Sequence, residues 1–361
     1  MHNWRVSIRP EWRVAHAAGA QLPLPALLQL LEGIQAGGSI AQAARAIGTS
    51  YRNAWGLLRD FEREFGAPLV VKSRGQGTRL SPLANKLLWA DKRIAARLSP
   101  TLESLASELE GELESLLAPA RSSVRISASY GFAVAALVEA LDKNDAAVDL
   151  KYLNSTEAVA ALTRQECDLA GFHVGCDRFQ AASVKPYLQW LDPARHVLVQ
   201  LAYRTQGLFI PRGNPKGVRS IADLARSGLR FVNRQSGSGT RMLLDLLLAD
   251  AGVAPRSIHG YESAEFTHAA VAAFIASGMA DVGFGLETAA RRFGLDFLPI
   301  LRERYFFACD VAAIERPPLR LVLRLMRSQE FRTVVDALPG YDGRIAGTVV
   351  PVQQAFARNR K

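Results

Sequence analysis

The chain has 361 residues, of which 49% are hydrophobic and 22% are charged. That length allows two or three domains with their own cores, and that composition excludes a largely disordered or collagen-like chain. No run of about 18 apolar residues occurs, and the N-terminus lacks the apolar run of a signal peptide, so we expect a cytoplasmic protein without membrane contact. Three cysteines without CxxC spacing indicate neither a disulfide framework nor a zinc site.

The net charge of +10 is concentrated near the N-terminus. Residues 1–100 contain 14 Lys and Arg against six Asp and Glu. Such a concentration of positive charge is typical of a module that binds double-stranded DNA.

The first elements are short. Alternating apolar residues between Trp4 and Val14 predict a strand pair, and Pro25 opens a helix through Leu27 to Ile34. A short helix follows, with Ser39 as its N-cap and Gly48 at the turn that ends it. A second helix begins near Ser50, and its apolar face consists of Ala54, Leu57, Leu58, Phe61 and Phe65. This spacing predicts a helix-turn-helix, whose second helix enters the DNA major groove.

Residues 69–80 predict a hairpin with a glycine-rich, basic tip, which is the wing of a winged helix-turn-helix. Its cations suit contacts with phosphates or the minor groove. The alternative is an ordinary three-helix packing unit with a basic loop. The residues predicted to contact DNA are the two caps, the polar face of the second helix and the wing cations: Ser39, Ser50, Tyr51, Arg52, Asn53, Arg59, Lys72, Arg74 and Arg79.

Residues 82–117 predict a long helix with leucine and isoleucine at spacings of about three, four and seven, an approximate heptad seam. Ser99-Pro100 interrupts this seam, with Ser99 as N-cap and Pro100 in a first helical turn, which predicts either a kink or two stacked helices. We favour a helix that dimerises over one buried in its own domain. Ala118–Ser123 then reads as a linker.

From Val124 onward strands and helices alternate, which predicts an α/β domain with a mostly parallel sheet. The clearest strands are 124–127, 148–153, 168–174, 197–211, 231–233 and 282–284, and the last long helix is 320–338. Ligands of such sheets bind at the carboxyl ends of strands, beside helix N-termini.

Hydroxyl, glycine and basic residues cluster at these strand ends. Tyr203 and Arg204 are added because we expect the chain to cross between two lobes there. The predicted ligand-binding residues are therefore Ser127, Ser129, Ser155, Thr156, His173, Tyr203, Arg204, Asn233, Arg234, Ser236, Gly237, Ser238, Gly239, Thr240 and Arg241. Helix N-termini with hydroxyls make an anion site, and Arg234 or Arg241 adds a charge-assisted contact. For the loop at 236–240 the alternative is a plain tight turn.

Other chemistries find little support. The loop at 236–240 lacks the lysine of a P-loop, and the spacing of His173, His196 and His268 does not suit a metal cluster, so structural roles are favoured for these histidines. No nucleophile–base pair or carboxylate dyad is apparent. We therefore expect no enzyme, no metal and no cofactor.

Residues 26–117 resemble the winged helix-turn-helix domain of the molybdate-responsive ModE regulators and, more distantly, of LysR-type regulators. The resemblance rests on Gly38-Ser39-Ile40 with Ala43-Ala44, on Ser50-Tyr51 with Ala54-Trp55, and on the wing at 74–80. Residues 124–345 resemble the periplasmic-binding-protein-like domain described as molybdate-binding, through runs 168–173, 202–208, 213–217, 231–234 and 239–241. The β-barrel sensor domains of ModE regulators have no counterpart in this sequence.

The resemblance implies a transcription regulator with a two-lobed sensor that closes at a hinge. It predicts a DNA-binding domain at 1–81, a linker and dimerisation helix at 82–121 and a type II sensor domain at 122–350. Lobe one would be 122–204 with 300–350, and lobe two 205–299, with chain crossings near Thr205 and Leu298. The effector would be a small anion: molybdate, tungstate or a small carboxylate such as formate.

The predicted partners are thus double-stranded DNA, a small anionic effector and a second copy of the chain, as a homodimer or homotetramer. One alternative is a cytosolic oxyanion carrier whose N-terminal domain serves assembly only. The other is a protein of molybdenum-cofactor metabolism, either an enzyme or a non-catalytic component.

Overall fold

A computed structural model describes residues 5–14, 22–73, 77–117 and 123–357. The chain divides into two compact units, one of residues 9–98 and one combining the described parts of 1–8 and 99–361. None of the helices in these ranges is both long and apolar enough to cross a lipid bilayer.

The smaller unit contains short strand pairs and a helical core. Its elements are β1 (Arg13–Val14), β2 (Leu22–Pro23), α1 (Pro25–Gly37), α2 (Ile40–Ala46), α3 (Tyr51–Phe65), β3 (Val70–Ser73), β4 (Gly77–Leu80) and the first part of α4 (Pro82–Leu117). Of the strand pair predicted between Trp4 and Val14, only the two-residue strand β1 forms, and it pairs with β2, which lies outside that segment. Residues 5–12 form no strand, and Trp4 lies outside the described residues.

The predicted helix-turn-helix is confirmed, and its capping explains where the helices begin. The Ser39 hydroxyl accepts the backbone N–H of Gln42, and the Ser50 hydroxyl accepts that of Asn53 at 3.1 Å. Gly48 turns the chain between α2 and α3 with a φ of +70°, which L-residues with a Cβ rarely adopt. β3 and β4 pair as the antiparallel hairpin of the wing.

The core of the smaller unit forms where these helices meet. Its fully buried side chains include Leu27, Leu31, Ile40, Ala54, Leu58 and Phe61. Leu57 and Phe65 pack against this cluster while remaining half-buried, so the predicted apolar face of α3 is the packed face. The opposite face of α3 is exposed.

Of the two alternatives predicted at Ser99-Pro100, a kink or two stacked helices, the second is wrong: α4 is a single helix of 36 residues with Pro100 inside it. Proline costs a helix one N–H donor, but its φ is compatible with helical backbone. Buried side chains on both sides, Ala96 and Ala106, pack the adjoining turns and stabilise the helix through this position.

The larger unit alternates strands and helices, as predicted. Its elements are β5 (Val124–Ala128), α5 (Phe132–Lys143), β6 (Val148–Tyr152), α6 (Ser155–Thr163), β7 (Leu169–Gly175), α7 (Gln180–Val184), β8 (His196–Ile210), β9 (Phe231–Arg234), α8 (Gly239–Asp250), β10 (Ala264–Glu265), α9 (His268–Ala276), β11 (Val282–Leu286), α10 (Glu287–Arg292), β12 (Asp296–Asp310), α11 (Pro317–Arg327), α12 (Gln329–Asp336), β13 (Tyr341–Asp342), β14 (Val349–Pro351) and α13 (Val352–Phe356). Short 3₁₀ turns occupy 177–179, 221–225 and 255–257.

One ten-stranded mixed sheet connects the two lobes, with its main path in the order β10-β9-β11-β8-β12-β7-β5-β6. Strands β5, β6 and β7 run parallel in one lobe, and β9, β10 and β11 run parallel in the other. The long strands β8 and β12 pair antiparallel with each other through both lobes. Thus each lobe matches the predicted parallel pattern, but the long β12 was not predicted.

The final helix predicted at 320–338 is instead two helices, α11 and α12. Ser328 separates them with an extended ψ of 149°, and its hydroxyl accepts the backbone N–H of Phe331 at 3.1 Å. A serine that caps a new helix favours this break over continuation.

The outer edge of the sheet is covered by α4. Strand β6 pairs with β5 on one side only, and on the other side the Ser107 hydroxyl accepts the N–H of Leu150 at 2.8 Å and donates to the carbonyl of Val148 at 3.1 Å. The Ser104 hydroxyl accepts the N–H of Tyr152 at 3.0 Å. Two helix serines thus satisfy backbone groups that an edge strand leaves unpaired.

We expect Ser107→Ala to lower the free energy of unfolding by about 1–3 kcal/mol, because the buried N–H of Leu150 loses its acceptor. Urea unfolding followed by circular dichroism measures this change. Ser115→Ala is the matched control on the same helix, since the Ser115 hydroxyl is exposed and bonds only to the carbonyl of Glu112. An equal effect of both substitutions would contradict the role of Ser107.

Candidate functional site

A small pocket lies where the carboxyl ends of β5, β6 and β9 meet the crossing strands. Its volume is about 20 Å³, close to the space that one water-sized group needs. The residues lining it are Pro100, Ser129, Tyr130, Tyr152, Leu153, Asn154, Ser155, His173, Arg204, Arg234, Gln235, Ser238, Gly239, Thr240, Phe266 and His268.

Three helices begin at this pocket. Asn154 caps α6 with a complete capping box, Ser238 caps α8, and Thr267 caps α9. Backbone N–H groups at a helix N-terminus carry partial positive charge and attract anions. The pocket is therefore electropositive even before its charged side chains are counted.

A buried carboxylate organises the floor of the pocket. Glu303, on β12, is fully buried and forms an ion pair with the Nε of Arg204 on β8. Its other oxygen accepts hydrogen bonds from His173 Nδ1 and Gln206 Nε2, each at 2.6 Å. Burial opposes ionisation of Glu303, but Arg204 and these donors outweigh it and lower the pKa to about 2.

Arg204 is also held by an aromatic ring. Its guanidinium carbon lies 4.8 Å from the centroid of the Tyr305 ring, a cation–π distance. Burial lowers the pKa of Arg204, but the Glu303 carboxylate outweighs it and the net shift is upward. Glu303 and Arg204 therefore neutralise each other.

Arg234 is the exception to this pairing. It ends β9 and its side chain is only 6% exposed. Among the residues that the structure describes, neither its Nε nor its Nη1 has a hydrogen-bond partner. Burial, with repulsion from Arg204, lowers the pKa of Arg234 to about 9, so the group remains charged at neutral pH. A buried, unsatisfied cation is costly, and an anion in the pocket would supply its missing partner.

The two pocket histidines present different groups. His173 Nδ1 faces the Glu303 carboxylate and therefore carries the proton, which leaves Nε2 as an acceptor. His268 Nδ1 accepts the N–H of Leu286 at 3.3 Å, which leaves its Nε2 as a donor. Burial lowers the pKa of both histidines, so we assign the neutral form to each. A Cβ at position 239 would come within 2.5 Å of the His173 ring, so Gly239 allows α8 to begin beside it.

The pocket brings together eight of the predicted ligand-binding residues: Ser129, Ser155, His173, Arg204, Arg234, Ser238, Gly239 and Thr240. The other seven do not line it, and for most of these an alternative contact explains why. Arg241 stacks 3.8 Å above the Tyr261 ring, Tyr203 lies beneath Arg302, and the Asn233 amide donates to the carbonyl of Tyr261. Of Arg234 and Arg241, Arg234 is therefore the one in the pocket.

The remaining predicted residues are engaged locally or lie away from the pocket. The Thr156 hydroxyl donates to Asn154 at 2.9 Å, Ser127 is buried within β5, and Ser236 is exposed at the tip of its turn. Gly237 supplies a φ of +80° to that turn.

Sequence reasoning missed several members of the site. Glu303, Gln206, His268, Tyr130 and Tyr152 were not predicted as ligand-binding residues. The one usable signal was Glu303, an acid two residues before the apolar run 305–309. Its partners come from positions about 100 or more residues away, and no local pattern identifies them.

The second candidate site is the exposed face of α3. Tyr51, Arg52, Asn53 and Arg59 are all exposed, and Tyr51 is 51% exposed rather than packed in the core. The Arg59 guanidinium lies 6.0 Å from the Trp55 ring. The hydroxyls of Ser39 and Ser50 are engaged as helix caps. Arg79 is exposed on β4; Arg74 lies outside the described residues, as does the side chain of Lys72.

No group of three or more His, Cys, Asp or Glu side chains within the described ranges is arranged to hold a metal ion.

We expect Glu303→Gln to destabilise the larger unit by about 3 kcal/mol at neutral pH, because it leaves Arg204 buried without its counter-charge. The folded pKa of Glu303 lies below the unfolded value of about 4.3, so this stabilisation is present above about pH 4.3 and is lost as pH falls towards 2. Urea unfolding at neutral pH and near pH 3 measures the loss of stability and its dependence on pH. Glu315→Gln, at an exposed position, is the control; an equal loss there, or no pH dependence, would contradict the assignment.

Curated relatives match parts of the chain. The uncharacterized protein YvgK of Bacillus subtilis (strain 168) is 30% identical over 203 residues, which cover 55% of this chain and 64% of YvgK. An uncharacterized Clostridium pasteurianum protein, named for the 5′ region of a ferredoxin 2Fe-2S gene, is 32% identical over 110 residues, covering 30% of this chain and 97% of that protein. This chain thus spans slightly less than two thirds of the length of YvgK.

Solved structures resemble the chain at low identity. An OxyR variant of Corynebacterium glutamicum, bound to hydrogen peroxide, is 14% identical with a TM-score of 0.44, covering 86% of this chain and 94% of that one. The tungstate ABC transporter structure from Geobacter sulfurreducens is 16% identical with a TM-score of 0.45, covering 61% of this chain and 100% of that one.

Two family models match. The model of the bacterial regulatory helix-turn-helix protein, lysR family, matches residues 25–85, which include α1 to β4. The model of the PBP superfamily domain matches residues 138–327, more than half of the chain. The chain therefore belongs to the PBP superfamily and carries a lysR-family helix-turn-helix ahead of its two-lobed α/β domain.

Proposed function

We propose that this protein is a DNA-binding transcription regulator whose PBP-type domain senses a small anion. The observation that carries the proposal is Arg234, a buried cation with unsatisfied donors beside the N-termini of α6 and α8. Regulation would follow from closure of the lobes around the anion, which requires that the anion bind the open and closed forms with different affinity.

The DNA-binding part of the proposal rests on charge and exposure. Excess positive charge lies within residues 1–100, and α3 exposes Tyr51, Arg52 and Asn53 at its N-terminal end. In helix-turn-helix proteins these first residues of the second helix contact base edges. We propose Arg59 and the wing cations Lys72, Arg74 and Arg79 as phosphate contacts.

The second part of the proposal is self-association of the chain, and exposed leucines on α4 support it. Leucines along this helix remain exposed in the single chain: Leu98, Leu105, Leu109, Leu113 and Leu116. Their spacings of three, four and seven favour pairing of two such helices as in a coiled coil. We propose a homodimer or homotetramer, because helix-turn-helix dimers present two recognition helices to neighbouring turns of DNA.

For the effector we propose a compact anion such as molybdate, tungstate or formate. The lining of the pocket by Arg234 and by the first residues of α6 and α8 suits a compact anion, and the resemblance of the domains to molybdate-responsive proteins favours the oxyanions. We place the protein in the cytoplasm, where DNA is available, and propose a regulator rather than an enzyme. A cytosolic anion carrier remains the second candidate, supported by the same pocket, and it predicts no DNA binding.

We expect Arg52→Ala to weaken binding of a random-sequence DNA duplex about tenfold at low salt, because an exposed cation is lost from the recognition helix. If Arg52 contacts a phosphate, the slope of log K against log salt should fall by about 0.9. Fluorescence anisotropy over a salt series measures both quantities.

Arg63→Ala is the matched control for this experiment. Arg63 lies in the last turn of α3 and pairs with Asp60 at 3.0 Å. Equal losses of affinity in the two variants would contradict the proposed DNA-binding surface. Absence of DNA binding by the wild type would favour the carrier.

We expect Arg234→Met to abolish the stabilisation that a bound anion gives, and to raise the melting temperature of the anion-free protein, because a buried unpartnered charge is replaced by an apolar side chain. Thermal unfolding with molybdate, tungstate, sulfate, phosphate and formate measures both effects.

Arg241→Met is the control, since Arg241 stacks on Tyr261 outside the pocket. It should retain the wild-type response to each anion. An anion response that survives in Arg234→Met, or is lost equally in both variants, would refute the role of Arg234.

A further inference from the structure

The helix α4 forms part of the wall of the anion pocket. Pro100, in the middle of this helix, is buried and lines the pocket. The next turns are fixed to the sheet edge by the hydrogen bonds of Ser104 and Ser107 to β6. The pocket thus has one wall made by a helix that begins in the smaller unit, at Pro82, and continues without a break.

Two tyrosines line the pocket next to Pro100 of α4. Tyr130 follows β5 and Tyr152 ends β6, and both line the pocket. Their rings meet edge-on, with centroids 4.9 Å apart and planes at 64°. Tyr152 also lines a second cavity of about 270 Å³, on the side of the sheet edge that α4 covers.

A single carboxylate on α4 lies beside both tyrosines. Glu103 Oε1 accepts a hydrogen bond from the Tyr130 hydroxyl at 3.4 Å. Burial raises the pKa of Glu103, and the hydroxyls of Tyr152 and Tyr130 oppose that rise. Glu103 is therefore a half-buried acid whose partners belong to the pocket wall.

A tyrosine hydroxyl has one proton to donate. If an anion in the pocket takes that hydrogen bond, Glu103 loses it, and the two negative groups also repel each other. Binding of the anion and docking of Glu103 are then competing states of the same two hydroxyls. An allosteric coupling requires a structural element with two alternative states, and these hydroxyls provide such an element.

Resting on the proposed anion site, we propose that Glu103 opposes anion binding: the anion draws the hydroxyls of Tyr130 and Tyr152 away from Glu103 and releases this part of α4. Glu103 is thus a positioning residue, acting on the anion through the tyrosines. Coupling between two sites is reciprocal. If the bound anion weakens the contact between Glu103 and the tyrosines by some factor, removal of the Glu103 charge must strengthen anion binding by the same factor.

The test uses the full-length protein with sodium molybdate and, separately, sodium formate as probes. Glu103→Gln keeps the shape but removes the charge, and isothermal titration calorimetry should record affinity about fivefold or more higher than that of the wild type. Glu110→Gln is the matched control, since Glu110 lies on the same helix but accepts the N–H of Val6 at 2.8 Å. It should bind both anions like the wild type.

Hydrogen exchange provides the second readout. In the wild type, the anion that binds should speed exchange of backbone amides at 99–107; in Glu103→Gln, exchange there should already be fast without anion. Tyr130→Phe, which removes one of the two protons, should reduce the anion-induced change.

The outcomes separate the two proposals. Unchanged anion affinity in Glu103→Gln, even with faster exchange, would mean that Glu103 only docks the helix, and would overturn this inference alone. Slower exchange at 99–107 on anion binding would also overturn it. If neither anion binds the wild type, the proposed effector class is wrong and this inference falls with it.

Discussion

The ion pair between Glu303 and Arg204 is the constraint on which the sensor domain depends. The two residues lie on β12 and β8, the long strands of the sheet, and are directly opposite each other in their antiparallel register. A fully buried carboxylate is tolerable only when paired and hydrogen-bonded, and here Arg204, His173 and Gln206 all serve it. Because these partners come from β7 and β8, the pair also aligns the strands that form the pocket floor.

The same constraint explains the charge of the pocket. Glu303 also attracts Arg234, but burial and repulsion from Arg204 outweigh this attraction, and among the described residues the Nε and Nη1 of Arg234 have no hydrogen-bond partner. The helix N-termini add positive potential on the same side. In the proposed function, an anion in the pocket would offset the energetic cost of burying Arg234, and that offset would contribute to the binding energy.

Local features of the sequence predicted most of the fold. Capping residues such as Ser39 and Ser50, the glycine turn at Gly48 and the alternation of strands and helices after Val124 all act within a few residues, so a single sequence reveals them. Two separate helices do not form at Pro100 because packing on both sides outweighs one missing hydrogen-bond donor. The strand β12 was not predicted from the sequence, because it forms by pairing with β7 and β8, which are distant in sequence.

The site was predictable to the extent that its residues follow strands or precede helices. Ser129, Ser155 and Thr240 were found in this way, whereas Glu303 and Glu103 act through partners that only the fold brings near. The two acids have opposite proposed effects on the same pocket. Glu303 lies beneath the pocket and fixes Arg204. Glu103 lies behind two tyrosines whose hydroxyl protons a bound anion would also attract. Since α4 carries Glu103 and begins in the unit with the helix-turn-helix, the competition for those protons involves a helix that both units share.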